Sequence, residues 1–195
     1  PMIDLLTKSH TNGPFTGTCV LKCVPSQGGS IVIYQESVPG VIKGLRLSAP
    51  GQDLRYLILS IFFDDDQTPK IEIPLFTLFL SGANDAQFVS AMVGNSVMGC
   101  TTNLTNITIN SVGYMHFPMP FWQSAKILIE KLPLSTKTDK LSVICFQIAT
   151  DDNSYKKSQT GYLHIKTNYY IGNLGGYREI LMLKNSWGHV VGSYL

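Results

Sequence analysis

The chain has 195 residues, of which 44% are hydrophobic and 14% charged, with a formal net charge of +2. That length suits one large domain with an ample core, and no run of Lys or Arg exceeds two, so direct nucleic-acid binding is not expected. No apolar stretch approaches the roughly 18 residues that a membrane-crossing helix needs, so no membrane span is expected either.

The opening Pro1-Met2-Ile3-Asp4 lacks the charged-then-apolar layout of a signal peptide and reads as a native amino terminus. Strand signals then dominate. Residues 18–24, 30–34, 41–47, 56–63 and 70–75 are short, rich in β-branched or aromatic residues, and bounded by turn formers such as Pro25-Ser-Gln-Gly-Gly29 and Val38-Pro-Gly40. Residues 75–80 fit either a strand or a helical turn. Later strands are expected at 104–109, 125–129, 141–148, 161–169, 178–184 and 189–194.

Pro118 and Pro120 lock φ and lack donors, so the backbone at Met119 must run extended just before the 125–129 strand. About ten strands with almost no helical periodicity predict an all-β fold, a single antiparallel jelly-roll sandwich of eight to ten strands spanning residues 1–195. Gly28-Gly29, Gly175-Gly176 and the strand lysines Lys43, Lys126 and Lys166 read as protection for exposed sheet edges. The uncharged, Thr/Asn-rich segment 101–110 reads as a strand that needs another chain or sheet to pair with.

The chemistry looks quiet. Asp64-Asp65-Asp66 caps a turn and reads as solvated, because three consecutive residues cannot all face one cation. Glu36, Glu72, Glu130 and Glu179 fall at strand ends or on strands, without the paired carboxyl groups that glycoside hydrolysis requires. His10, His116, His164 and His189 form no metal motif, and His116 and His164 read as core-edge residues. Cys19, Cys23, Cys100 and Cys145 lack ligand-type spacing and read as buried free thiols made in a reducing compartment. The sequons at Asn103 and Asn106 read as part of a Thr/Asn-rich strand rather than as glycosylation sites. No catalytic, cofactor-binding or metal-binding residue is assigned, and no cofactor is expected.

Five segments nevertheless form an ordered signature. Val38-Pro-Gly-Val-Ile42, Phe63-Asp-Asp-Asp-Gln-Thr-Pro-Lys-Ile-Glu-Ile-Pro-Leu75, Phe117-Pro-Met-Pro-Phe121 with Ser124-Ala125, Gly161-Tyr-Leu-His164 and Gly188-His-Val-Val-Gly-Ser193 together resemble glycoside hydrolase family 172. The resemblance implies the first of that family's two jelly rolls. The family's catalytic glutamates belong to motifs that follow the Gly-His-Tyr-Val-Gly segment, and here the sequence reaches Leu195 just after it, so no catalytic residue carries over.

Family enzymes form trimers whose six jelly rolls resemble the capsomers of double-jelly-roll viruses. The resemblance therefore points to a non-enzymatic, self-assembling structural protein, a viral capsid or vertex subunit assembled in host cytoplasm. Its expected partners are copies of itself and other capsid proteins. The alternatives are a non-catalytic half or fragment of a family 172-type hydrolase in the cytoplasm, and a carbohydrate- or receptor-binding module. Tyr155, Tyr169, Tyr170, Tyr177 and Trp187 are the aromatic candidates for a glycan contact in that last reading.

Overall fold

The computed structural model describes residues 20–24, 29–49, 56–78, 88–89, 92–96, 100–102, 107–109, 111–132, 142–152 and 154–165. The long strands form where apolar residues alternate. β4 (Leu57–Phe63) and β12 (Ala125–Lys131) each send every second side chain inward, so Leu57, Leu59, Ile61, Phe63, Ile127 and Ile129 are fully buried. With β2 (Ser30–Glu36) and β5 (Ile71–Pro74) they make a sheet in the order β2-β12-β4-β5.

The facing sheet is built from β1 (Val20–Val24), β13 (Ser142–Asp152), β3 (Gly40–Ala49) and β10 (Ser111–Met115), extended by β7 (Val93–Ser96) and β6 (Phe88–Val89). β11 (Met119–Phe121) also pairs with β3. All these strand pairings are antiparallel. Between the layers lies one core that joins Ile42, Leu45, Leu47, Met115, Met119, Ile144 and Phe146 to the inner faces of β4 and β12.

The pairing is nested: β1 with β13, β2 with β12, β3 with β10, β4 with β5. That is the order of a jelly roll, eight strands folded as two interlocked Greek keys. The remaining short strands, β6, β7, β11 and the separate hairpin of β8 (Cys100–Thr102) with β9 (Ile107–Ile109), raise the total above the eight to ten expected.

Several expectations need correction. The described residues of 101–110 pair with each other as a separate hairpin, Thr101 opposite Thr108. Residues 161–164 form no strand, and only Ile165 makes a single parallel bridge, to Ile71. The apolar residues there, Tyr162, Leu163 and Ile165, pack against the core from a loop. Residues 75–78 take the helical alternative as a single turn, α1 (Leu75–Leu78).

Lys43 and Lys126 protect no edge either. Both lie on central strands, where Lys43 pairs with Asp151 and Lys126 covers the Phe62 ring at 5.0 Å. Edge protection comes instead from Lys22 on β1, whose Nζ donates to the Val32 carbonyl of β2 at 2.6 Å and so ties together an outer strand of each sheet. The strands expected at 178–184 and 189–194, together with Lys166 and the Gly175-Gly176 pair, lie outside the described residues.

Two β-bulges set the phase of the strands. On β3, Ala149 opposes Gly44 and Thr150 opposes Ile42, which leaves Lys43 as the extra residue. The bulge lets Ile42 point inward at 0% exposure while Lys43 reaches out to Asp151. On β2, Ile33 is the extra residue between Val32 and Tyr34.

Candidate functional site

The densest polar chemistry sits at one end of the sandwich, where the β4–β5 turn meets the corner between β11 and β12. Asp64 and Asp65 both have positive φ, 52° and 61°, and the Asp66 amide donates to the Phe63 carbonyl at 3.2 Å. Two consecutive left-handed residues closed by such a bond define a tight type I′-like turn, and aspartate tolerates that backbone better than most residues.

The turn is clasped to the corner. Asp64 Oδ1 accepts the amides of Trp122 at 2.8 Å, Gln123 at 2.7 Å and Ser124 at 3.3 Å. Its Oδ2 accepts the Tyr162 hydroxyl at 2.5 Å and faces Lys157 Nζ at 3.6 Å. In return the Asp64 amide donates to the Ser124 carbonyl at 2.8 Å, and the Ser124 hydroxyl donates to Asp65 Oδ1 at 2.7 Å.

Asp64 is therefore no solvated turn residue, since its side chain is only 6% exposed. Burial alone would raise its carboxyl pKa. The hydrogen bonds from Tyr162 and from the three amides outweigh that and hold it below the usual carboxylate value. For Tyr162 the two causes act together: burial first, then the bond to Asp64, drive its phenol well above the ordinary value. Asp65 and Asp66 remain exposed, and Asp66 pairs with Lys70 at 2.5 Å.

Aromatic rings pack around this carboxylate. Phe63 stacks on Phe121 at 6.4 Å and on Tyr162 at 5.7 Å, and Trp122 meets Tyr162 edge-on at 5.3 Å. Trp122 Nε1 donates to the Tyr155 carbonyl at 3.1 Å, while Lys157 lies 5.7 Å from the Trp122 ring centroid. Gly40 completes the corner. A Cβ there would stand 2.8 Å from Phe121 Cζ, so the glycine is required by the close approach of the ring.

Four of the five signature segments thus converge, through Gly40, Phe63 with Asp64, Phe121 with Ser124, and Tyr162. The fifth, at 188–193, lies outside the described residues.

The arrangement can hold a corner rigid, but it has little freedom for chemistry. The depressed pKa of Asp64 does not suit a general acid. A shallow polar cleft of about 270 Å³ lies beside it, lined by Glu36, Phe62, Asp65, Asp66, Gln67 and Lys126 among others. Glu36 sits at the end of β2, where it accepts the Ser37 amide at 3.0 Å; Glu72 lies on β5 and Glu130 on β12, all exposed. Glu72 and Glu130 lie on different strands with their side chains on the outer face of the sheet.

His116 is half-buried against the Tyr114 ring at 5.0 Å, whereas His164 is exposed rather than at the core edge. Tyr155 is half-buried and carries the Trp122 contact, not an open aromatic platform. Among the described residues, no group of His, Cys, Asp or Glu is arranged to hold a metal ion, and no helix is long and apolar enough to cross a membrane. Glu179, His10, His189, Cys19, Asn103, Asn106, Tyr169, Tyr170, Tyr177 and Trp187 lie outside the described residues, as do the side chains of Cys23, Cys100 and Cys145.

Sequence reasoning missed the clasp itself. Its only signal was that the Asp-Asp-Asp turn and the Phe-Pro-Met-Pro-Phe corner belong to one signature.

In comparison with known proteins, a family model described as GH172 domain-like matches residues 18–143, about two thirds of the chain. No curated protein matches it.

Proposed function

Because the chain belongs to the GH172 domain-like family, we propose that it uses the family's fold as a building block: a non-enzymatic, self-assembling jelly-roll subunit of a viral capsid or vertex. The observation that carries this reading is the fate of the family signature. Its segments converge on a clasp that fixes the corner of the roll, with the Asp64 carboxylate saturated by amides and a phenol. A roll with exposed faces and a fixed corner is suited to rotational rings and vertices, in which each copy presents the same surfaces to its neighbours.

Light scattering coupled to size exclusion tests the proposal. The expected result is a pentamer, a hexamer or a larger closed particle. A monomer at every concentration overturns it.

Family membership itself favours a second reading, a non-catalytic part of a family 172-type glycoside hydrolase. That reading expects a chain that stays monomeric alone and supports turnover of fructose- or arabinose-containing glycans once a second jelly roll is supplied.

A further inference from the structure

The outer face of the β2-β12-β4-β5 sheet carries a pattern that the clasp does not explain. Cross-strand register places Val32, Leu128 and Ser60 side by side in one row, with Lys126 beside Phe62 on one flank and Glu130 beside Ile58 on the other. The centre of this face is apolar. Val32 is 38% exposed, and the face continues past the strand ends to Tyr56 at 38% and Leu132 at 41%, which are joined by the Leu132 amide to Tyr56 carbonyl bond of 2.8 Å. These are three of the four large hydrophobic residues exposed among those described. Along β12 the outward residues therefore read Lys126, Leu128, Glu130: cation, apolar, anion.

We infer that this face is a homotypic contact, and that its occupant is the same face of a second copy of the chain. The pattern is self-complementary. A two-fold axis lying in the contact plane above Leu128 and running across the strands reverses β12 onto its mate. Leu128 then meets Leu128, while Lys126 of each copy meets Glu130 of the other. The same operation lays Phe62 over Ile58 and Val32 over Val32. Sheets packed face to face stand about 10 Å apart, a gap that lysine and glutamate side chains bridge.

Because the face sets Lys126 against Glu130 and Glu72, it offers no strong field of either sign to an acidic or basic macromolecule, whereas the Lys126–Leu128–Glu130 row matches itself. Glu72, at the β5 end of the central row, would face its own mate, so the contact is centred toward β2 and β12, on Val32 and Leu128.

This inference rests on the proposed self-assembly and adds to it a two-fold contact between copies, separate from the head-to-tail contact that closes a ring. The test uses the full chain and three samples: Lys126→Glu, Glu130→Lys, and an equimolar mixture of the two. Each single variant places like charges opposite one another twice in the pair. Association, followed by light scattering over a concentration series, should weaken roughly ten-fold. The mixture should recover association, because every 126–130 contact between unlike copies is again a cation with an anion. Leu128→Asp should abolish the contact, with thermal melting confirming that the variant remains folded.

Variants that assemble like the parent overturn the surface while leaving self-assembly standing. Weakened variants that fail to recover on mixing overturn the two-fold arrangement. A parent chain that is monomeric throughout overturns both this inference and the function on which it rests.

Discussion

Asp64 is one residue doing the work of a small network. Its carboxylate satisfies three amides of the corner and the Tyr162 phenol, groups that would otherwise be left inside a crowded aromatic cluster without an acceptor. Asp64→Ala removes the acceptor outright, and a loss of about 3 kcal/mol is expected. For a chain of this length that corresponds to a fall in melting temperature of roughly 10 °C. Asp64→Asn keeps an oxygen for the amides and removes the charge, so about 1 kcal/mol is expected. Chemical denaturation of both variants checks the ranking; equal losses would mean that the charge carries the whole effect and a neutral acceptor adds nothing. None of this was legible in the triplet Asp64-Asp65-Asp66, because a turn rich in acids is ordinarily solvated. Its burial is created by Tyr162 and by the corner residues, 98 and about 60 positions away.

At the scale of the element, alternation was a sound guide wherever one face of a strand is buried. β4 and β12 could be read from their side-chain period, and Pro118 and Pro120 predicted the extended β11. Pattern failed where pairing depends on the rest of the fold. Residues 161–164 are apolar enough to read as a strand but lie in a loop, and the described residues of 101–110 form a hairpin of their own. Lysines on central strands were mistaken for edge guards because a bulge, invisible in sequence, turns Lys43 outward. That bulge gives β3 an unusual tolerance. Deleting Lys43 restores a regular ladder with Ile42 and Gly44 opposite the residues they already face, and removes a solvent-exposed ion pair of the weak kind. Deleting Gly44 instead moves Lys43 into a buried position opposite Ala149, where an unpaired ammonium costs several kcal/mol. Thermal melts of the two deletions should show a small shift for the first and loss of cooperative folding for the second.

For the whole molecule, the clasp predicts how stability responds to acid. The Asp64 carboxyl is lower in the folded state than in the unfolded chain, so its contribution is complete above the unfolded value of about 3.9 and is lost as pH falls through the folded value. Asp151, lowered by its hydrogen bond from Lys43, acts in the same direction. Denaturation curves should therefore weaken below about pH 4, and Asp64→Asn should flatten that acid limb; an unchanged limb would place the acid sensitivity elsewhere. The clasp also has a consequence in time. A bond that joins residues 98 positions apart closes only after most of the chain is in place, so it contributes little to the folding transition state. It acts on the way out. Removing the hydroxyl with Tyr162→Phe should leave refolding at its usual pace and speed unfolding by about ten-fold. The stability that the corner supplies is then expressed in the unfolding rate, as a latch that sets how long a folded copy survives.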